Sequence, residues 1–218
     1  MTMTHFFQCD ALSWLFVGLI LLGTIPNVIY SRGYLAHIER TGHYRLHYFA
    51  FVLSMLGVVV AGNALSFLLF WELMSLTSWQ LILTEAPDDP EQVIPAARFY
   101  FFMTHFGFVF LLLFFLIVSH GDFEMSFTQM HGVAAAFPYA TLLYFFLLLG
   151  FLSKAGAVPL HVWLPYSHPA APSPVSALMS GVMLKVAIYG MFRFLFDVLY
   201  PWPLEWGVLA GTPPNDAG

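Results

Sequence analysis

The chain has 218 residues, of which 60% are hydrophobic and only 9% are charged, and its formal net charge is −5. A soluble domain of this length has too little interior to bury so much apolar surface, so the composition excludes an ordinary soluble domain. The charges form no block that would attract nucleic acid, and the single Cys9 excludes an internal disulfide and a cysteine-ligated iron–sulfur or zinc site within these residues. The composition therefore predicts an all-α integral membrane protein.

Six segments are apolar and long enough to cross a membrane as helices, for which about 20 residues are needed. In chain order they are 11–30, 47–61, 65–84, 95–118, 138–158 and 174–199, between an N-terminal segment, 1–10, and an irregular C-terminal tail, 200–218. The stretch 48–84 is divided because one helix of that length would reach about 55 Å across a hydrocarbon core of about 30 Å. The predicted division lies at Ala61-Gly62-Asn63, a turn sequence.

The arginines predict the orientation of these crossings. Four of them lie on one side of the arrangement: Arg32, Arg40, Arg45 and Arg98. Arg193 lies toward the other side. Because cytoplasmic loops of membrane proteins are enriched in Lys and Arg, this places the 31–47 loop in the cytoplasm and both termini on the outer, periplasmic side.

Three charged residues interrupt the apolar stretches near their centres: Glu72, Lys154 and Lys185. A Lys or Asp at the centre of a membrane helix costs about 2.5–3.5 kcal/mol on insertion scales, and Glu is expected to be similar. Such residues mark proton or ion paths, or they form structural ion pairs that hold helices together. A static salt bridge between Glu72 and Lys154 therefore stays open as the plainer alternative to a proton path.

The segment that carries Lys154 is predicted to be a broken helix. Gly156, Pro159 and Pro165 follow the lysine closely, and proline removes a backbone donor and clashes with the preceding helical turn. A helix that breaks at membrane depth exposes backbone polar groups, which are tolerated where they line a hydrated cavity. A buried lysine beside a break indicates a functional site more strongly than either feature alone.

Three segments resemble one family of membrane proteins: FWELMSLTSW, YFFMTHFG and GFLSKAGAVPLHVWLPYSHPAAPSPVSALMSGVMLKVAIYG. They are similar to the antiporter-like proton-channel subunits of respiratory complex I, Mrp antiporters and membrane-bound hydrogenases. The HPAAPSPVSALMSGVMLK run and the MTH triplet favour the hydrogenase branch, which includes hydrogenase-4 component B and the large membrane subunit of formate hydrogenlyase. The resemblance covers about residues 8–199, and the longest motif is highly specific.

The resemblance implies roles in proton transfer for five residues. Glu72 and Lys154 match the helix glutamate and the broken-helix lysine that form the central pair of one half-channel, and Lys185 matches the lysine that passes the proton onward. His161 and His168 match histidines near the cytoplasmic end of the broken helix, where protons would enter, although interfacial hydrogen bonding explains them equally well. Moving Glu72 and Lys154 from about 4 Å to about 8 Å apart weakens their attraction by about 2 kcal/mol, which would release a proton toward Lys185.

The other histidines receive plainer interpretations. His105 lies in an apolar helix beside Thr104, and we expect a buried, hydrogen-bonded histidine there, with a channel relay as the second interpretation. His43 and His47 have the i, i+4 spacing that metal ligands can have, but a solvated polar loop explains them better. We therefore expect neither a metal site nor a catalytic site in the chain itself.

The resemblance also implies partners. It implies a multi-pass subunit of a prokaryotic cytoplasmic membrane, surrounded by lipid, that binds no cofactor itself and works with other membrane and peripheral subunits of a hydrogenase or complex I-like assembly. Nickel–iron and iron–sulfur centres would belong to those partner subunits. Family members are about twice as long, with two inverted repeats of five helices, and this chain corresponds roughly to the first repeat. A second polypeptide is expected to supply the other repeat.

Three other functions stay open at this point. A cation/proton antiporter subunit of the Mrp type predicts sodium-dependent transport without hydrogenase partners. In a truncated fragment without transport of its own, the three charged residues would be inherited from a longer ancestor and would not transfer protons. A proton-channel partner in inorganic-carbon uptake would carry the same residues.

Overall fold

The computed structural model describes residues 6–34, 41–136 and 140–199. Six helical segments in these residues are long and apolar enough to cross a membrane: Ala11–Tyr34, Gly42–Val60, Ala64–Glu85, Pro90–Val118, Ala140–Ala170 and Ser173–Val198. The chain is therefore a multi-pass α-helical membrane protein, and the predicted fold class is confirmed. Arg40 and the predicted C-terminal tail, 200–218, lie outside the described residues.

The first three helices are α1 (Ala11–Tyr34), α2 (Thr41–Val60) and α3 (Ala64–Ile82). The chain turns between α2 and α3 at Asn63, which caps α3. The Asn63 side chain accepts a hydrogen bond from the Ser66 backbone N–H at 2.8 Å, and the Ser66 hydroxyl accepts one from the Asn63 backbone N–H at 3.3 Å. This reciprocal cap satisfies two donors at a buried helix end, so a tight turn joins the second and third crossings.

The fourth crossing is α4 (Pro90–Val118), which begins with proline at a first-turn position where a helix has no backbone hydrogen bond to lose. A short helix, α5 (Phe127–Ala136), lies between the fourth and fifth crossings. The backbone N–H of Phe127 donates to the Gly62 carbonyl oxygen at 3.3 Å. The start of α5 is thus fixed to the turn between α2 and α3.

The fifth crossing is broken, as the proline and glycine pattern predicts. α6 (Ala140–Ala155) ends before Gly156, whose φ of +67° lies in the left-handed region that favours glycine. A 3₁₀ turn and α7 (Leu164–Ala170) complete the crossing. The Trp163 indole N–H donates to the Ser153 carbonyl oxygen at 2.8 Å, which satisfies a carbonyl that the break leaves free.

The sixth crossing combines α-helical and π-helical segments. It consists of α8 (Ser173–Leu178), a π-helical segment (Met179–Met183), α9 (Leu184–Met191) and a second π-helical segment (Phe192–Val198). Single π-helical turns are rare and often mark functional sites, because they displace side chains from the regular helical positions.

Buried aromatic rings join the crossings at one level of the molecule. The Phe194 ring of the last crossing lies 4.9 Å from Phe67 of α3, 5.1 Å from Phe115 of α4 and 4.9 Å from Phe127 of α5, measured between ring centroids. Edge-to-face pairs of this kind stabilise a core by about 0.5–1.5 kcal/mol each beyond the burial of their surface. The cluster fixes α3, α4 and the last crossing around the site described next.

Candidate functional site

Lys154 is fully buried, with 1% of its surface exposed. It stands in the last turn of α6, where the partial negative charge of a helix C-terminus favours a cation. Its Nζ donates a hydrogen bond to the Ser75 hydroxyl of α3 at 2.6 Å, and it lies 5.8 Å from the ring centroids of both Trp71 and Tyr100. The ammonium group is therefore surrounded by a hydroxyl and two aromatic faces, and cation–π attraction contributes about 0.5–2 kcal/mol per ring in such a setting.

Buried hydroxyl groups continue from Ser75 toward the last crossing. The Ser75 hydroxyl donates to the Trp71 carbonyl oxygen at 3.1 Å, which leaves its lone pairs free to accept from the lysine. Ser78, one turn further along α3, has its hydroxyl 2.6 Å from that of Tyr100, whose oxygen lies 3.5 Å from Met183 Sδ. Hydrogen-bonding groups thus connect α3 and α4 to the first π-helical segment of the last crossing.

Glu72 lies on α3, one turn before Ser75, and its partner is His105 of α4. Glu72 Oε1 is 2.6 Å from His105 Nε2, and the two side chains are 21% and 28% exposed, respectively. His105 Nδ1 is 2.8 Å from the Phe101 carbonyl oxygen. The other carboxylate oxygen, Glu72 Oε2, is buried and has no hydrogen-bond partner among the described residues.

The ring of His105 has an acceptor at each nitrogen: the Phe101 carbonyl oxygen at Nδ1 and Glu72 Oε1 at Nε2. An imidazolium carries a proton on both nitrogens and can donate to both acceptors, whereas a neutral imidazole can donate to only one of them. A protonated His105 and an ionised Glu72 are together net neutral. Net neutrality reduces the free energy that a partly buried pair loses on leaving water.

Lys185 lies at the start of α9 and is half-buried. Its Nζ donates to the Ser180 carbonyl oxygen of the preceding π-helical segment at 2.8 Å. Within the described residues, ion pairs shorter than 4 Å join Glu72 to His105 and Arg193 to both Asp10 and Asp197. Neither lysine takes part in these pairs, so the described structure does not bring Glu72 and Lys154 into direct contact.

The two histidines predicted at the proton entrance lie beyond the break from Lys154. His161 is exposed in the 3₁₀ turn that follows α6. His168 is half-buried in α7, with Nδ1 3.0 Å from the Ser176 hydroxyl and its ring 6.3 Å from that of Trp163. Both therefore stand on the short segments that complete the broken crossing.

Four contacting residues were not anticipated from the sequence: Trp71, Ser75, Ser78 and Tyr100. The sequence contained a signal for two of them, since Ser75 and Ser78 follow Glu72 at intervals of three residues in α3. Residues three apart on a helix lie on the same face. Glu72, Ser75 and Ser78 therefore form one polar stripe on α3, and that stripe faces α4 and α6.

Comparisons with known proteins match the chain to relatives of several kinds. The family described as NADH:quinone oxidoreductase/Mrp antiporter, TM matches residues 61–210, which contain every residue of the site. Hydrogenase-4 component B of Escherichia coli (strain K12) is 36% identical over 206 residues, which are 93% of this chain and 30% of that protein. A probable K(+)/H(+) antiporter protein of Rhizobium meliloti (strain 1021) is 33% identical over 215 residues, which are 94% of this chain and 20% of that protein.

A solved structure agrees with these matches. It is the structure of the membrane-bound sulfane sulfur reductase (MBS), an archaeal respiratory membrane complex, and one of its chains is similar to 84% of this chain, with a TM-score of 0.71 and 25% sequence identity. The chain covers 29% of that chain, and so spans less than a third of the length of these three relatives. Since the family match extends over more than half of its residues, this chain belongs to the transmembrane family of NADH:quinone oxidoreductase and Mrp antiporter subunits.

Proposed function

We propose that this chain is the proton-conducting part of an antiporter-like subunit in a redox-driven membrane complex, of the kind represented by hydrogenase-4 or complex I. The observation that carries the proposal is the position of Lys154, a fully buried lysine at the end of a broken helix whose ammonium contacts a neutral hydroxyl. Burial in a low-dielectric site brings the charged and neutral forms of such a lysine closer in free energy, which is what a proton carrier needs.

Glu72 acts in this mechanism by changing its distance from Lys154. A carboxylate close to the ammonium stabilises its charged form, and withdrawal from about 4 Å to about 8 Å removes about 2 kcal/mol of that attraction at an effective dielectric near 20. The contact of Glu72 with His105 supports a withdrawn position for the carboxylate. Lys154 then gives its proton toward Lys185, and His161 and His168 supply protons from the cytoplasmic side.

The hydroxyl groups beside Lys154 support a direction for this transfer. The Ser78 hydroxyl donates to the Ser75 carbonyl oxygen and lies 2.6 Å from the Tyr100 hydroxyl. The Tyr100 oxygen lies 3.5 Å from the sulfur of Met183, two residues before Lys185 in the last crossing. Methionine sulfur carries no proton of its own, so Met183 cannot itself relay one. In the proposed transfer these hydroxyl groups therefore line the proton path. The proton passes beside Met183 in the final step to Lys185.

The orientation and the partners belong to the same proposal. The end of α1 with Arg32, the start of α2 with Arg45 and the start of α4 with Arg98 share one side of the six crossings, which is the cytoplasmic side under the positive-inside rule. The membrane is a prokaryotic inner membrane. Nickel–iron and iron–sulfur centres reside in partner subunits.

A cation/proton antiporter subunit of the Mrp type is the second candidate function. The similarity to the K(+)/H(+) antiporter protein of Rhizobium meliloti favours it. The two functions differ in their partners and ions, because an Mrp-type assembly contains no hydrogenase-like subunits and requires a cation to be exchanged for protons. Mass spectrometry of the chain purified from its native membrane in mild detergent separates them.

Transport by the purified assembly tests the proton path directly. The chain and its copurifying subunits are reconstituted in liposomes that contain a pH-sensitive dye, and the rate of proton transport is measured. We expect Glu72→Gln to reduce the rate by about 30-fold, the equivalent of about 2 kcal/mol of lost attraction. Glu124→Gln, which changes an exposed carboxylate in the loop before α5, is the matched control and should keep the wild-type rate.

Two results would contradict the proposal. Wild-type transport in Glu72→Gln would show that the carboxylate does not control Lys154. A large loss of thermal stability in Glu72→Gln with unchanged transport per folded molecule would instead support a static role for Glu72 between helices.

A further inference from the structure

Glu72 lies on α3 near a histidine and a lysine that belong to two neighbouring helices. Its carboxylate contacts His105 of α4, while Ser75, one turn further along the same face of α3, accepts a hydrogen bond from Lys154 of α6. One carboxylate oxygen is bonded to the histidine, and the other is buried without a partner among the described residues. Glu72 Oε2 is therefore available to a second partner.

The proton shared by Glu72 and His105 decides which partner is favoured. With the proton present, the contact at 2.6 Å is a charge-assisted hydrogen bond, which is among the stronger side-chain interactions. Without it, the Nε2 lone pair faces the carboxylate and the contact becomes repulsive. The ammonium of Lys154 is then the cation on the adjacent helix that can stabilise the carboxylate.

We propose that His105 is a positioning residue for Glu72, and that the proton they share holds the carboxylate away from Lys154. Loss of that proton releases the carboxylate, which moves to Lys154. This inference rests on the proposed function, because it names the residue that sets the distance between Glu72 and Lys154. The Glu72 carboxylate then has two positions, one bonded to His105 and one beside Lys154.

The two positions differ by one proton. In the first, His105 and Glu72 share a proton and Lys154 is bonded to Ser75. In the second, that proton has passed to water at the exposed edge of the pair. His105 is then neutral, its Nδ1–H still donates to the Phe101 carbonyl oxygen, and Glu72 faces the ammonium of Lys154. Return of a proton from water to His105 reverses the change.

Other ionisable groups on the segments packed against α4 do not replace Glu72 in this role. The charged and histidine side chains on those segments are Glu72, Glu85, His131, Lys154, His161 and His168. Of these, Glu72 forms the ion pair with the His105 ring in the described part of the chain. On α4 itself, Arg98 lies two turns earlier and is exposed.

Solid-state NMR of the reconstituted assembly can measure both contacts of Glu72. The chain is labelled with ¹³C at the glutamate carboxyl carbons and ¹⁵N at the lysine and histidine side chains, and dipolar couplings report the distances. The sequence contains two lysines, Lys154 and Lys185, so a glutamate–lysine coupling is readily assigned. In the wild-type protein we expect a coupling between glutamate and histidine and none between glutamate and lysine.

Two variants of His105 test the switch. His105→Leu removes the partner, and we expect a new glutamate–lysine coupling that corresponds to a contact of about 4 Å or less. His105→Gln keeps a side-chain N–H that can donate to Glu72, so the glutamate–lysine coupling should stay absent. Adding Glu72→Gln to His105→Leu should abolish the new coupling, which assigns it to Glu72.

The inference and the proposed function fail in different ways. The inference is overturned by a wild-type protein without a glutamate–histidine coupling, or by His105→Leu without a glutamate–lysine coupling. After either result, the effect of Glu72→Gln on the rate of proton transport still tests the proposed function. Conversely, wild-type transport in Glu72→Gln overturns the proposed function even where both couplings are observed as expected.

Discussion

Ser75 provides the hydrogen bond that makes a buried lysine tolerable in this site. A charged ammonium that leaves water needs partners for its N–H groups, and the Ser75 hydroxyl is the acceptor at 2.6 Å. The hydroxyl can accept because its own proton is directed to the Trp71 carbonyl oxygen one turn earlier in α3. A single small side chain thus links the polar stripe of α3 to the charge on α6.

Replacing Ser75 should destabilise the protein through Lys154. We expect Ser75→Ala to lower the free energy of unfolding by about 1.5–3 kcal/mol, the usual range for a hydrogen bond to a charged group. Ser54→Ala is the matched control, because Ser54 is equally buried and donates to the Phe51 carbonyl oxygen of its own helix. Its loss should be about 0.5–1.5 kcal/mol. Thermal unfolding in detergent measures both.

A double variant identifies the cause of that loss. In a Lys154→Met background the ammonium is absent, so Ser75→Ala should have a much smaller effect. An equal loss in both backgrounds would mean that Ser75 contributes through packing alone.

The positions of the charges could be predicted from the sequence, but their partners could not. Glu72, Lys154 and Lys185 are visible as single charges in apolar stretches, which needs no knowledge of neighbouring helices. The pairing of Glu72 with His105 depends on how α3 and α4 are rotated about their axes, and helical periodicity does not determine that rotation. For the same reason the ring of Tyr100 beside Lys154 could not be foreseen.

At the scale of helices, α4 and α6 are held in close contact by two glycines. A methyl group added to Gly107 would overlap the Ser153 hydroxyl and the Gly150 carbonyl oxygen. Small residues at such positions let membrane helices approach each other, which is a principal source of packing energy where no hydrophobic effect operates between helices. This contact lies one turn before Lys154 on α6, so it also determines how closely the lysine approaches α3 and α4.

A methyl group at Gly107 should therefore force the two helices apart. We expect Gly107→Ala to reduce stability by about 1–3 kcal/mol, the usual effect of overpacking. Gly18→Ala in α1 is the control, because no atom lies within 4 Å of the added Cβ there. Alanine should be neutral or slightly stabilising at that position. Equal unfolding midpoints of the two variants in detergent would contradict a close contact between α4 and α6.

The sequence predicted helices better than it predicted the connections between them. Apolar length and the residues Gly156, Pro159 and Pro165 act locally, which explains why six crossings and the break after Lys154 could be anticipated. The short helix α5 was missed, because its start depends on a backbone hydrogen bond to the distant Gly62 and on rings from other helices. The π-helical turns of the last crossing likewise have no local signature.

At the scale of the whole molecule, Arg193 in the last crossing is bonded to Asp10, which immediately precedes the first. Arg193 is 4% exposed, with Nη1 2.6 Å and Nη2 2.7 Å from the two carboxylate oxygens of Asp10. Bidentate pairs of this geometry are stronger than single contacts. The hydrogen bonds from Arg193 hold the pKa of the Asp10 carboxyl well below its usual range.

This pair predicts a dependence of stability on pH. The folded pKa of Asp10 lies below the unfolded value of about 3.9, so the pair stabilises the protein fully above about pH 4 and less as the pH falls toward the folded pKa. Asp10→Asn should therefore lower the thermal unfolding temperature at neutral pH, and its difference from the wild type should shrink between about pH 4 and about pH 2.

An exposed carboxylate elsewhere in the chain provides the control for this measurement. Asp88→Asn changes an exposed residue in the turn before α4 and should leave the unfolding temperature unchanged at each pH. A constant difference between Asp10→Asn and the wild type across the acid range would rule out the ionised pair as its cause.

The pair between Asp10 and Arg193 also bears on how the protein is made. Its two members are 183 positions apart, and they can meet because an even number of crossings returns the chain to the side from which it started. During synthesis the crossings enter the bilayer in order, so Arg193 is inserted with the last of them and can bond to Asp10 only then. The ion pair between Asp10 and Arg193 therefore forms late in biogenesis. It stabilises the chain in which all six crossings are in place relative to any partly inserted intermediate.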